Sequence, residues 1–419
     1  MDVNPSRTIL FVGAGVSQRA AIVQARAKGF RVGAVDGDER AVGLSEADWS
    51  EVVDILDIDA VVEVGRRNAV DGVMTVAADR AVPVVAAVAE ALSLPGIGTE
   101  TAHVMRNKLA MRKRLFEHGV PQPRFARVTT LEEALVEAAT IGFPAVLKPA
   151  DSGGQRGVVR IESPDDLVAS FGSTAEISPS AEAILEEFCP GLELNAIVVV
   201  RGGQARVLTL SDRLRPPGIG FGVGWAHVFP ASIDASTRAE AERVATRTVA
   251  ACGLRDGIVF AQLLVGDNGV VRVVEVAARI PAGQMADLVR HAIGVDLVEI
   301  ALRQALGQLV PDELVAARFE QPLAIKFLTA EPGPLSTGVV RKVGSLTAAM
   351  AQPGVVQADT YIEVGETIRP VALDIDRRGY VIAVAATGSE ALIRADHAAS
   401  LVRVELDRDS SSQGGRPRL

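Results

Sequence analysis

Lys148-Pro149-Ala150-Asp151-Ser152-Gly153-Gly154-Gln155-Arg156-Gly157 decides the fold when it is read with Gln262, Glu275 and Arg279, more than a hundred residues further on. Residues 145–148 are an apolar run that ends in a lysine, and glycines follow at 153, 154 and 157. Glycines let backbone N–H groups approach phosphate oxygens, and an ammonium neutralises the charge crowded there. No Gly-Lys-Ser/Thr follows, so this is not a Walker loop, and taken alone it also reads as an ordinary hairpin. Gln262 and Glu275 lie in two apolar runs, 258–265 and 270–276, joined by Gly266-Asp267-Asn268-Gly269, a hairpin turn by its residue types. Across such a hairpin the two side chains meet on one face as oxygen ligands for a hard cation such as magnesium. Arg279 follows four residues after Glu275. Its guanidinium suits charge on a transferring phosphoryl group or a carboxylate, and an ion pair with Glu275 is the plainer alternative. An unpaired carboxylate in so apolar a strand would cost several kcal/mol, which favours a function.

Around this pair the chain of 419 residues is long enough for two or three cores. Apolar residues make up 48% with only 4% aromatic, and most are Ala and Val, as in parallel strands covered by helices. An α/β enzyme is the expectation. Net charge is −9, and no run of Lys and Arg interleaved with aromatics appears, which argues against nucleic acid as a partner. Cys189 and Cys252, the two cysteines, cannot build a disulfide framework and fit a reduced cytoplasm. No apolar run approaches the roughly 18 residues of a membrane span, and residues 1–7 carry no secretion signal.

Residues 8–13, 31–36 and 72–76 read as strands of a doubly wound unit over 1–97. Gly13-Ala14-Gly15 with Asp36 gives part of a dinucleotide fingerprint, but Gln18 stands where the third glycine belongs, so a dehydrogenase reading is weak. Thr101 caps an expected helix carrying Lys108, Met111 and Leu115 to a stop at Gly119. Residues 98–325 form the expected central domain, with a small α+β lid at about 123–190. Residues 326–408 read as a closing α+β domain, and 409–419 as a disordered polar tail. Glu186 and Glu187 end an apolar run before Phe188, Cys189 and Glu193. Such a linker can offer its backbone to an adenine edge and a carboxylate to ribose hydroxyls, although paired glutamates are usually only solvated. Arg213 and His227 flank a glycine- and proline-rich segment, 215–224, of the length of a covering loop.

In this order, the motifs resemble the ATP-grasp superfamily over nearly the entire chain. They are Lys108 in Arg-Asn-Lys-Leu-Ala-Met-Arg, Gly119-Val120-Pro121-Gln122-Pro123, Lys148-Pro149 with its glycine loop, Glu186-Glu187-Phe188 with Glu193, and Glu275 to Arg279. The closing region, with Pro353-Gly354-Val355 and Arg378-Gly379-Tyr380-Val381, is similar to carboxylate–amine ligases that include the L-amino-acid ligases. The resemblance implies a Rossmann-like N-terminal domain, an ATP-grasp α+β lid and a C-terminal domain. It implies ATP phosphates on Lys108 and Lys148 under Ser152, Gly153, Gly154, Gln155 and Gly157. Glu186 would meet the adenine amino group, the backbone around Glu187, Phe188 and Cys189 would complete the base contacts, and Glu193 would take the ribose. Magnesium would sit on Gln262 and Glu275; Arg213, His227, Arg279 and Gly283 would face the substrate. Ala277 stands where the family usually has asparagine, which removes an oxygen ligand for a second magnesium.

The implied activity is an ATP-dependent ligation. A small carboxylate, expected to be an amino acid, is phosphorylated and an amine displaces phosphate from the acyl phosphate. Lys148 and Arg279 carry the charge, and a homodimer is expected by resemblance. Two other readings stay open: a purine-biosynthesis-type carboxylase using bicarbonate, and a nucleotide-binding regulator without catalysis, which Ala277 favours.

Overall fold

The computed structural model describes residues 7–153, 155–216 and 223–407. Gly154, the middle of the 215–224 loop and the 409–419 tail lie outside these. By internal contacts the chain divides into two compact units, Met1–Asp212 with Pro230–Glu320, and Arg213–Phe229 with Gln321–Leu419.

The first unit opens with a parallel sheet built of β1 (Thr8–Val12), β2 (Arg31–Asp36), β3 (Trp49–Val52) and β4 (Gly72–Met74), in the order β3-β2-β1-β4. Its strands are apolar because helices cover them: α1 (Val16–Ala27), α2 (Ile58–Arg67) and α3 (Val82–Ala91). Leu10, Val12, Val35, Val61 and Val88 form part of this core. The Gly13-Ala14-Gly15 turn is already filled: the Gln18 amide donates to the Val76 carbonyl, and the Ala14 N–H donates to Asp36 at 2.7 Å. A side chain therefore packs where the fingerprint's third glycine would have brought helix and strand together.

The expected single helix carrying Lys108 is two, α4 (Thr99–Arg106) and α5 (Lys108–Glu117). Asn107 leaves the helical region at φ −96° and ψ 119°, and its side chain accepts from the Ala110 N–H as an N-cap. The break frees the Lys108 N–H to donate to the Ala150 carbonyl at 2.8 Å.

The lid is a four-stranded antiparallel sheet of β5 (Phe125–Val128), β6 (Ala145–Pro149), β7 (Val159–Ile161) and β8 (Ala183–Glu187), in the order β5-β8-β6-β7. Two helices, α6 (Leu131–Ile141) and α7 (Pro164–Ile177), cover one face. Next come the long strands β9 (Leu192–Arg201) and β10 (Gln204–Leu214); β11 (Ala226–Phe229) belongs to the second unit; β12 (Gly257–Val265) and β13 (Val271–Ala277) complete the run in the order β13-β12-β9-β10. Alternation sorts the residues of these strands between two faces. Leu194, Ala196, Val198 and Val200, with Val259, Ala261 and Leu263, face a core shared with Met111 and Leu115 of α5 and with α8 (Ala235–Ala251). The opposite face carries Glu193, Asn195 and Gln262 together with the apolar Ile197, Val199 and Phe260. After β13 the chain forms α9 (Met285–Ile293) and α10 (Leu297–Ala305).

In the second unit β11 pairs with Leu323–Phe327, which pairs in turn with Gly379–Val384 and this with Val355–Thr360, all antiparallel. That pairing draws residues 213–229, placed by sequence within 98–325, into the same unit as the C-terminal residues. No helix among the described residues is long and apolar enough to cross a membrane.

Candidate active site

On β6 and β8 the alternation that sends Ala145, Leu147, Ala183 and Leu185 into the lid core sends Lys148 and Glu186 to the other face. There the Lys148 ammonium meets the Glu186 carboxylate at 2.7 Å. Both are buried, and a third buried charge joins them, which sequence reading passed over. Arg112 on α5 donates to both Glu186 oxygens, at 2.8 and 3.2 Å, and to the carbonyls of Val273 and Val274 at 2.9 and 2.8 Å. A guanidinium that is 0% exposed thus ties the lid to β13, one residue before Glu275. Its signal was the second arginine of Arg-Asn-Lys-Leu-Ala-Met-Arg, one helical turn beyond Lys108 and on the same helix face.

Burial alone would raise the Glu186 pKa, but Arg112 and Lys148 outweigh it and hold the carboxyl at about 2. Burial lowers the Lys148 pKa; Glu186 opposes that, while Arg112 and Lys108 add to it. Glu186, expected at the adenine amino group, pairs with Arg112 and Lys148 in this structure.

The glycine loop is held from below. Lys108 donates its ammonium to the Ser152 carbonyl, and both residues are buried. Gly157 adopts φ +71°, where a Cβ would lie 2.9 Å from both Pro149 and Ile177, so glycine is required there on two counts. Gln155 also has positive φ, at 63°. A Cβ on Gly153 would stand 3.5 Å from the Asp79 carboxylate, which brings the N-terminal domain to the loop.

Asp79 was not singled out in the sequence. It opens a short 3-10 turn, Asp79–Ala81, and receives Arg279 at 2.6 Å. Arg279 is therefore paired with Asp79, and the ion pair weighed for Glu275 is replaced by one between residues 200 apart in the first unit. Burial would raise the Asp79 pKa; Arg279 first, then Arg106 and Lys108, reverse this and lower it. A parallel bridge of Val76 with Ile280 fastens the same junction.

Gln262 and Glu275 are direct partners in the β12–β13 register, and Asn195 and Ser211 extend the row across β9 and β10. The expected hairpin turn closes with the Gly266 N–H donating to Val270 at 3.0 Å. The Gln262 amide nitrogen donates to Glu193 at 3.1 Å. That bond spends the nitrogen and leaves the amide oxygen, beside Glu275, as a donor atom for a hard cation, so the residues present fit a magnesium ion. Among the described residues no cluster of three or more His, Cys, Asp and Glu side chains could hold a metal. The remaining coordination positions would fall to phosphate and water, as magnesium prefers.

Glu187 pairs with Arg124 at 3.1 Å. Phe188 lies under the Arg160 guanidinium at 4.1 Å and donates its N–H to the Pro144 carbonyl. Burial first, then Glu187, raise the pKa of the half-buried Cys189 thiol, which removes it as a nucleophile. Gly283 has φ +73°, just before α9.

Arg213 and His227 belong to the second unit. There Asp374 receives Arg377 at 2.9 Å, Arg213 at 3.4 Å and the Gly224 N–H at 2.9 Å. His227 is buried edge-on to Phe327, and burial, reinforced by Arg213 and Arg377, holds its pKa well below the ordinary value, so the ring is neutral.

Two family models match the chain: the ATP-binding domain of the carbamoyl-phosphate synthase L chain over residues 106–312, and the L-amino acid ligase C-terminal domain 2 over 327–407. The chain belongs to the ATP-grasp superfamily. As an ATP-grasp ligase it is an ATP-dependent enzyme, and its α/β fold has a parallel N-terminal sheet followed by antiparallel ones. An uncharacterised protein of Sinorhizobium fredii is 29% identical over 81% of this chain and 70% of its own length. The carbamoyl phosphate synthase large chain of Thermotoga neapolitana is 26% identical over 56% of this chain, which spans 21% of that longer protein. Among solved structures, the L-amino acid ligase from Bacillus licheniformis superposes with a TM-score of 0.83, at 20% identity, over 97% of this ATP-grasp chain and all of the other.

Proposed function

We propose that this enzyme joins the carboxylate of one amino acid to the amine of another, forming an amide through an acyl phosphate with release of ADP and phosphate. The observation that carries the reading is the convergence in one unit of the Lys148–Glu186–Arg112 cluster, the Gln262–Glu275 pair and the Arg279–Asp79 pair, in a chain whose closing segment matches an L-amino acid ligase model.

A carboxylate oxygen attacks the terminal phosphorus of ATP, and the bond from that phosphorus to the bridging oxygen breaks as ADP leaves. The amine nitrogen then attacks the acyl carbon, loses its proton, and phosphate departs with the former carboxylate oxygen. Lys108 and Lys148 hold phosphate oxygens in line beneath the glycine loop. Arg112 keeps Glu186 charged, and Glu186 in turn fixes the Lys148 ammonium. Arg279, held by Asp79, stabilises charge on the transferring group. Gln262 and Glu275 would hold magnesium, which when bound neutralises phosphate charge. No side-chain nucleophile is required.

The test is a phosphate-release screen of the purified protein with ATP and magnesium across amino-acid pairs, with hydroxylamine added to trap the acyl phosphate as a hydroxamate. Stoichiometric ADP, phosphate and dipeptide are expected without hydroxylamine, and hydroxamate in place of dipeptide with it. ADP release that depends on bicarbonate alone would move the assignment to a carboxylase, and no turnover with any pair would leave a nucleotide-binding regulator. Arg279→Ala is expected to lower turnover by about a hundredfold or more while nucleotide affinity is retained.

A further inference from the structure

Arg279 also lines a cavity of about 680 Å³ within the first unit, inside the roughly 300–1,000 Å³ range of small-molecule sites. Its walls are apolar: Met74 at the end of β4, Val82 and Val85 on α3, Ile97 after it, Ile258 at the start of β12 and Ile280 beyond β13. Apart from Gln204 and Gln308, the polar side chains in the wall bond to the protein itself. Thr75 donates to the Val12 carbonyl, Gln304 to the Val200 carbonyl, and Arg201 to the Val310 carbonyl and to Asp312. Asp256 accepts from the Gly202 N–H. The mouth is formed by the exposed Pro95 and Gly96, and by Leu309, which at 77% exposure is unusually open for a leucine.

We propose that this cavity receives the side chain of the carboxylate substrate, and that the enzyme selects an amino acid with a bulky aliphatic or aromatic side chain. This rests on the ligase reading above and adds the substrate class to it. Arg279 ties the cavity to the chemistry, because it lines that space together with its neighbours Ala278 and Ile280 and is the residue assigned to the group transferred onto the carboxylate. The chemistry of the wall sets the class. With most of its polar side chains already paired and only the Gln204 and Gln308 amides beside them, the wall is chiefly apolar and recognises its occupant by apolar contact and shape.

The experiment measures binding of L-phenylalanine, L-leucine and L-alanine to the full chain by calorimetry, with magnesium and a nonhydrolysable ATP analogue present. Phenylalanine and leucine are expected to bind about tenfold or more tighter than alanine. Ala301→Trp and Val85→Phe, which fill the cavity from α10 and α3, are expected to erase that preference while alanine and the analogue bind as before. Retained analogue binding reports that each variant is folded. Equal binding of the three amino acids to the wild-type chain, or a preference that survives in both folded variants, would overturn the proposal. If the side-chain preference appears and is lost in the variants but no pair of amino acids drives ADP release, the pocket stands and the ligase reading fails. If dipeptides form and the preference ignores both variants, the ligase reading stands and the pocket assignment falls.

Discussion

Arg112 is the residue on which the candidate site turns. It satisfies Glu186 and two β13 carbonyls at once, so its removal leaves a buried carboxylate with one cation and takes a donor from each of the two carbonyls. Arg112→Ala is expected to cost about 3–5 kcal/mol in denaturant unfolding and to depress ATP turnover, and Arg112→Lys is expected not to restore either, because a point ammonium cannot span the four acceptors. Two buried groups set the acid limb of stability. His227 is neutral when folded and free to protonate when unfolded, so stability falls as pH drops below about 6.5, where the unfolded ring begins to charge. Glu186, depressed from 4.5 to about 2, contributes stability that is complete above 4.5 and disappears as pH falls through 2. Urea midpoints measured from pH 8 to 4 should decline in the wild type from about pH 6.5, and His227→Gln should flatten the upper part of that decline.

At the scale of elements, the break at Asn107 matters most. A continuous helix would bury the Lys108 N–H in its own hydrogen bonds; the new N-terminus instead directs it to Ala150, at the root of the glycine loop. Asn107→Ala is expected to cost about 1 kcal/mol in thermal or urea unfolding and to raise the KM for ATP more than it lowers kcat. The strands were legible for a simple reason: they are apolar runs bounded by turn residues, and Gly266-Asp267-Asn268-Gly269 announced their pairing. The turn did not set the partnership of Gln262 with Glu275, because the register shifts between Gln262 and Leu263, and counting from the turn would oppose Gln262 to Val274. The helix break was not legible, because Arg106-Asn107-Lys108 fits a continuing helix about as well as a cap. Asp79 was hidden similarly, in Ala-Ala-Asp-Arg-Ala, where nothing local marks its partner 200 residues away.

Over the whole molecule a net charge of −9 coexists with a concentration of Lys108, Arg112, Lys148 and Arg279 around one site. An anionic nucleotide therefore meets local cations within a protein of the same overall sign as itself. Because the first unit contains the N-terminal domain, the lid and the strands of the candidate metal pair, a bound nucleotide should stabilise all three together. A nonhydrolysable ATP analogue at a hundred times its Kd should add about 2.7 kcal/mol to stability, seen as a rise in Tm. Glu275→Gln should abolish the magnesium-dependent part of that rise and keep the part given by nucleotide alone, whereas a magnesium response as large as that of the wild type would remove Glu275 from the metal site.

Local pattern by itself determined the α/β class, the order of the motifs, and the hairpin that joins the strands of Gln262 and Glu275, because apolar runs and turn chemistry act between near neighbours. Only the tertiary structure decided that Glu186 belongs to Arg112 and Lys148, that Arg279 belongs to Asp79, and that β11 pairs with Leu323–Phe327. Charged groups choose partners by distance in space, and burial makes the choice obligatory, since a carboxylate removed from water must find a cation from whatever part of the chain the fold delivers.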